Sequence, residues 1–197
     1  MDPLIIREPL RTERLTLRVW RDEDVPAMYA ICQDPEIQRW TGLPSPFGID
    51  DASTYVNVTL AAQLATGTGV SFAIEINTTG EIAGSVGLYG ISERGPAAAS
   101  LGLARVWLGP GHRNGGVATE AVRTMASWAF TELGLDRIAT YSVAGNVSAR
   151  RVTERVGFRT GTTLRSAVLH DGGLADLWYS DLIPADLGLA PRPVARG

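Results

Sequence analysis

The sequence predicts a mixed α/β domain. Segments whose apolar residues recur at every second position alternate with segments whose apolar residues recur at three- and four-residue spacing. The breaks between them fall on Gly, Pro, Asn and Asp, the residues that turn a chain. The material suffices for one core, since 45% of the 197 residues are hydrophobic and 20% are charged.

The first strand is expected over 15–20, where LTLRVW alternates apolar and polar positions. Asp22, Glu23 and Asp24 followed by Pro26 mark a helix start, so a helix is expected over 25–33. Residues 42–48, with Pro44 and Pro46, read as a loop. Asp50 or Asp51 caps a second helix to about residue 65, which Gly67 ends. Strands are expected over 72–76, 81–91 and 101–108, the first two joined by the NTTG turn and the last two by a loop over 92–98. A long helix over 115–133 carries Val117, Ala121, Val122, Met125, Trp128, Ala129 and Leu133 on one face. A strand over 137–143, a helix over 146–156 closed by Gly157, and a hairpin of 158–170 and 174–182 around Asp171-Gly172 complete the domain. The domain is expected to span 1–187 and the tail over 188–197 to be loose.

Composition excludes several functions. All 18 basic residues are Arg. The absence of Lys removes a Walker-type phosphate loop and a Schiff-base mechanism. Cys32, His112 and His170 are the only Cys and His, far apart in sequence, so no metal site is expected. One thiol cannot build a disulfide framework, which fits a reducing, cytoplasmic location; Cys32 itself reads as a buried, inert side chain. A net charge of -3 without a basic stripe argues against nucleic acid as a partner. The opening MDPLIIREPLRTERL has no apolar signal region, and no apolar run reaches membrane-span length, so no membrane role is expected.

The segment GPGHRNGGVATEA lies between the strand ending at Leu108 and the long helix. A glycine-rich bend entering a helix presents successive backbone N–H groups at the positive end of the helix dipole, which suits a pyrophosphate. Gly115 and Gly116 permit positive φ and close approach of a ligand, and Asn114 is the non-glycine type that best tolerates the left-handed conformation. Arg113 adds a bidentate cationic fork. Gly109, Gly111 and Asn114 miss the third glycine of a dinucleotide fingerprint, and no G-x-S-x-G nucleophile elbow exists. In NVSARRVTERVGF, Asn146 is a good N-cap whose side chain could instead reach a ligand between strand and helix.

These motifs resemble those of the GNAT superfamily of N-acetyltransferases. Arg113, Gly116 and Ala118 are similar to its R-x-x-G-x-A acetyl-CoA signature, and residues 146–158 resemble its second cofactor motif. The segment 10–37, Leu164-Arg165 and DLWYSDL at 176–182 look like the RimJ/RimL-type branch, the ribosomal-protein alanine N-acetyltransferase-like enzymes. The resemblance covers 10–187 and implies a central mixed, twisted sheet of about six or seven strands with helices on both faces.

It further implies acetyl-CoA as cosubstrate. The pyrophosphate should lie on the amides of Asn114, Gly115, Gly116, Val117, Ala118 and Thr119, with Arg113 near the phosphates. The pantetheine arm should run along the strand at Trp107 and Leu108, with Asn146 bonding its amides. The acceptor would be a primary amine, by branch a protein or peptide N-terminal α-amine, entering over the first two helices and the C-terminal hairpin. A small-molecule amine, or a non-catalytic acyl-CoA-binding role, are the alternatives. The chain would act as a monomer or homodimer.

Many relatives carry a glutamate base on the strand before the loop, yet residues 96–112 contain no carboxylate. Glu81, Glu93 or Asp176 could act through water. Ala149 and Thr153 occupy positions where relatives place a Ser or Tyr as thiolate acid, which leaves Ser148 and Tyr141 as catalytic candidates by neighbourhood.

Overall fold

A computed structural model describes residues 2–44, 46–93 and 98–193. Eight strands form one sheet in the order β1-β2-β3-β4-β5-β6-β8-β7. They are β1 (Leu10–Arg11), β2 (Leu15–Val19), β3 (Gly69–Ile76), β4 (Ile82–Ser92), β5 (Leu101–Leu108), β6 (Arg137–Val143), β7 (Arg159–His170) and β8 (Gly173–Leu182). The strand beyond the seven expected is the two-residue β1, too short to show alternation. The helices are α1 (Val25–Cys32), α2 (Pro35–Thr41), α3 (Ile49–Thr54), α4 (Ala61–Thr66), α5 (Val117–Thr131) and α6 (Val147–Val156), with a π-helical stretch Tyr55–Leu60 joining α3 to α4.

The expected second helix is therefore one run broken by wider turns, and Gly48 rather than an aspartate is its N-cap residue. Asp51, at the third helical position, accepts the Gly48 N–H at 2.8 Å. Helix α2 has no counterpart in the sequence reading. Its signals are nonetheless local: Asp34 caps it by accepting Ile37 N–H at 3.0 Å, Pro35 opens it, and Gly42 ends it at φ +69°. The expected loop over 92–98 falls partly outside the described residues, as does the end of the tail.

Alternation in the strands sorts side chains onto two apolar layers. On one face Leu15, Leu17, Val70, Phe72, Ile74, Val86 and Leu88 pack against Ala121, Met125 and Ala129 of α5. On the other, Trp20 and Ala73 pack under Val25, Met28, Cys32, Ile37, Ala52, Val56 and Leu60 of the α1–α4 layer. The α1–α4 layer rests on β3, β4 and β5.

All strand pairs are antiparallel except β5–β6, which are parallel and joined through α5. Their register holds only at Leu101↔Arg137, Gly102↔Ile138 and Leu103↔Ala139. Beyond those positions both strands continue, to Leu108 and Val143, without pairing to each other. Each stays paired on its outer side, β5 to β4 as far as Gly84↔Leu108 and β6 to β8 as far as Val143↔Leu177. The sheet thus contains a wedge whose two walls are held from outside.

Candidate active site

The wedge opens toward the C-terminal ends of β5 and β6, and α5 and α6 both begin at its mouth. Crevices at such points, where neighbouring parallel strands part, are where α/β sheets bind ligands.

The direction of each backbone group along β5 follows from its bonds. Gly109 N–H reaches Ala83 O on β4 at 2.9 Å, so odd-numbered residues turn toward β4. Ala104 O accepts Thr140 Oγ1 at 3.1 Å and Leu108 O accepts Arg113 Nε at 3.0 Å, so even-numbered residues turn toward the wedge. The N–H and C=O of Val106 therefore face the wedge beyond the last β5–β6 rung. Of the two strand residues named from sequence, Leu108 faces the wedge with its carbonyl already used. Trp107 turns its backbone to β4 and its ring to the α1–α4 face, where it stacks on Trp20 at 6.1 Å.

The loop after β5 takes positive φ at two of the three positions expected to permit it, Gly115 not being one of them. Asn114 sits at φ +65° and Gly116 at φ +81°. Gly116 occupies the N-cap of α5 and has no side chain to cap with, so the first-turn N–H groups of Val117, Ala118 and Thr119 lack an intrahelical acceptor. Glu120 N–H bonds Gly116 O at 3.0 Å. The loop is braced from β2: Arg14 donates to Gly115 O at 3.1 Å and pairs with Glu120, which also accepts Thr12 Oγ1 at 2.6 Å.

Arg113 makes two bonds within the protein. Its Nη2 pairs with Asp34 Oδ1 at 2.5 Å while Nε holds the Leu108 carbonyl. The fork thus ties β5 and its loop to the N-cap of α2. Burial works to raise the Asp34 carboxyl, but bonds from Arg113 and Ile37 N–H outweigh it and hold Asp34 below the usual carboxylate range. Sequence reasoning missed this pair because its members lie 79 residues apart.

At the mouth's other side Asn146 caps α6, its Oδ1 accepting Ala149 N–H at 3.0 Å. Its Nδ2 has no hydrogen-bond acceptor among the described residues. Ser148 is exposed on the first turn of α6 and takes no part in the cap. Tyr141 lies on β6, 43% exposed, with its ring 5.4 Å from that of Tyr179 on β8. By strand alternation these rings share the α1–α4 face with Arg105 and Trp107.

That face forms a trough over β5, β6 and β8. The α3–π segment bounds one side through Tyr55. At the other, α2 meets the tip of the β7–β8 hairpin, where Arg39 pairs with Asp171 at 2.8 Å and Trp40 stacks on His170 at 4.9 Å. Of the three carboxylates considered as remote bases, Glu81 accepts Thr79 Oγ1 at the β3–β4 turn, and Asp176 accepts Ser166 N–H at a β7 irregularity. Cys32 is buried, which pushes its thiol up to about 12 and keeps it protonated. No group of three or more metal-ligating side chains occurs among the described residues, and no helix there is long and apolar enough to cross a membrane. An open recess of about 400 Å³, lined by Glu13, Arg14, Gly111 and His112 among others, lies on the β2 flank of the loop. Arg113, Gly115 and Val117 line it as well, so it adjoins the loop expected to hold the pyrophosphate, while Val106 and Asn146 lie outside its lining.

Residues 14–159 match the acetyltransferase (GNAT) domain family. The chain belongs to the GNAT acetyltransferase family. Membership makes it an N-acetyltransferase that draws its acetyl group from acetyl-CoA. This GNAT acetyltransferase is 29% identical over 163 residues to the uncharacterized N-acetyltransferase YoaA of Bacillus subtilis (strain 168), covering 83% of this chain and 89% of that protein. Its fold matches Mycobacterium smegmatis RimJ in complex with CoA-disulfide, with TM-score 0.80 at 24% identity over 92% of this chain and 88% of that one. It also matches RimL, a ribosomal L7/L12 alpha-N-protein acetyltransferase in complex with coenzyme A, with TM-score 0.80 at 16% identity over 89% and 98% of the two chains.

Proposed function

We propose that this GNAT acetyltransferase acetylates a protein or peptide N-terminal α-amine by direct attack in a ternary complex, through a single domain spanning residues 1–187. The observation that carries the reading is the parted β5–β6 pair with two helix N-termini at its mouth. The residues present fit acetyl-CoA. The uncapped amides at the start of α5 suit its pyrophosphate, the wedge-facing C=O of Val106 suits a pantetheine amide N–H, and Asn146 Nδ2 offers a further donor. Acetyl-CoA supplies an activated acetyl thioester.

The protein's share of the chemistry is positioning and charge stabilisation. Val106 N–H is a donor toward the thioester oxygen as negative charge builds there. Arg113 holds loop and α2 together through Nε and Nη2, which leaves Nη1 for the phosphates. Tyr141, on the trough floor, and Ser148, at the α6 N-terminus, are the candidates to protonate the departing thiolate.

The preference for an α-amine rests on proton bookkeeping as well as on the branch. Attack requires a neutral amine, and residues 96–112 provide no carboxylate to deprotonate one. An α-amine titrates near 8, so about a tenth is neutral at pH 7, whereas a lysine side chain near 10.4 carries a handicap larger by about 3 kcal/mol. Release of free CoA thiol with a panel of N-terminal peptides, lysine side-chain analogues and polyamines tests the proposal. Faster turnover of small-molecule amines would favour that alternative, and tight acetyl-CoA binding without turnover of any amine would make the chain an acyl-CoA-binding module.

A further inference from the structure

We propose that Arg105 is an acceptor-recognition residue that selects an amine carrying a carboxylate near its reacting nitrogen, such as a peptide whose first residues are acidic. This inference rests on the acetyltransferase reading above and deepens it.

Arg105 lies on β5 just beyond Leu103, the last position paired with β6, and shares the trough face with Trp107. It therefore stands where the strands part, on the side away from α5 and open to an acceptor. Its side chain is exposed. Its guanidinium lies 5.3 Å from the centroid of the Tyr89 ring, and Tyr89 Oη is in turn 3.0 Å from Tyr55 Oη. Gly87, directly across from Arg105 on β4, allows that arrangement, because a Cβ there would stand 3.2 Å from Tyr89 Oη and 2.6 Å from Val70 O. The Tyr55 hydroxyl is buried, which pushes its pKa well above the usual tyrosine range, so it stays a neutral hydrogen-bonding anchor for the platform.

What the platform lacks is an anion. Arg18, on the same face, pairs with Asp24 at 2.7 Å and Glu75 at 2.7 Å, and Arg137 stands 3.8 Å from Asp181. Arg39, at the trough's edge, pairs with Asp171. Arg105 has no carboxylate partner among the described residues, and an aromatic face does not neutralise a guanidinium. A planar, five-donor cation placed over the Tyr89 ring, beside the point where β5 and β6 part, is suited to a carboxylate. The net charge of -3 would draw in cations at long range, whereas this local group rejects polyamines at short range.

The test compares kcat/KM, at saturating acetyl-CoA, for peptides beginning Ser-Glu or Ser-Asp with their Ser-Gln or Ser-Asn isosteres. The wild-type protein should favour the acidic peptide by about ten- to a hundredfold, the value of a charge-assisted bond. Arg105→Gln should reduce that ratio to near one, Arg105→Lys should retain part of it, and Arg105→Glu should invert it. An equal ratio in wild type and Arg105→Gln overturns the proposal. Acetyl-CoA-induced thermal stabilisation is measured on every variant. If it persists while the ratio is unmoved, only the Arg105 assignment fails, and if wild type itself shows none, the acetyltransferase reading fails first. Should no peptide turn over, calorimetric binding of the same pairs to the acetyl-CoA-saturated protein decides, and absence of an Arg105-dependent preference there also overturns it.

Discussion

Replacing Asn146 by Asp separates the two roles that one side chain can hold at the α6 N-terminus. The cap uses Oδ1, 3.0 Å from Ala149 N–H, and either residue supplies that oxygen. A carboxylate at a helix N-terminus also gains about 0.3–1 kcal/mol from the dipole, so Asn146→Asp should be at least as stable as wild type. Only Asn has the Nδ2 donors. Losing one bond to acetyl-CoA and setting a carboxylate against its carbonyl should cost about 1–3 kcal/mol, or about tenfold in Kd at the modest end. Acetyl-CoA at about a hundred times the wild-type Kd stabilises by about 2.7 kcal/mol, whereas a tenfold weaker variant gains only about 1.4 kcal/mol at the same concentration. At about 2–4 °C per kcal/mol for a chain of this size, the ligand-induced Tm shift should be smaller by about 3–5 °C. Asn146→Ala should lose the cap too, about 1 kcal/mol without ligand. Differential scanning fluorimetry with and without millimolar acetyl-CoA measures all three proteins. Equal ligand shifts in wild type and Asn146→Asp would refute the cofactor role and leave Asn146 a cap alone.

Gly116→Ala should cost about 1–2 kcal/mol in chemical denaturation, because φ is +81° while the added methyl would meet only the Arg14 guanidinium at 3.6 Å. Gly116→Asn should cost less, and a variant as stable as wild type would mean the loop tolerates another conformation. Asp24→Ala leaves the half-buried Arg18 with Glu75 alone and should destabilise by about 1–3 kcal/mol in urea melts. Burial raises the Asp24 carboxyl but the bonds from Arg18 and Arg21 N–H outweigh it, so its folded pKa lies below the unfolded one. That stability is complete above about pH 5 and is lost as pH falls through the folded value; an unchanged acid limb in Asp24→Asn would contradict the assignment. The acetylation rate should climb with pH up to each acceptor's own pKa. An inflection fixed at about 6–7 for amines of different pKa would reveal a base within the protein.

Most elements were legible because each is a local pattern. The bounds of β5 and β6 are those expected, since both are short runs rich in β-branched, aromatic and other apolar residues cut off by turn residues. Helix α5 is shorter at both ends than the expected 115–133, because Gly116 takes a left-handed conformation at its N-cap and Gly134 takes the left-handed turn after it. Helix α2 escaped notice although Asp34, Pro35 and Gly42 bracket it, because seven residues are too few for a helical stripe to emerge. The two-residue β1 owes its existence to pairing with β2, not to any preference of Leu10 and Arg11.

The site divides along the same physical line. Conformational requirements are written in residue types, so Asn114 and Gly116 at positive φ and Asn146 as a cap could be read from the chain. Commitments between distant side chains could not. That Arg113 also ties the loop to Asp34, brought alongside by α2, is invisible in the chain, and Arg105 looks like an ordinary strand residue until Tyr89 and Tyr55 are seen to hold it. The wedge lies further still from the sequence, because its polar groups are backbone N–H and C=O, which every non-proline residue carries. Whether Val106 offers them to a ligand depends on where the β5–β6 register stops, and that depends on the outer pairings with β4 and β8. Substitution of the Val106 side chain would therefore disturb this part of the site less than a change that shifted the register of β5 by one residue, which would turn the Val106 amide toward β4 and close the wedge wall.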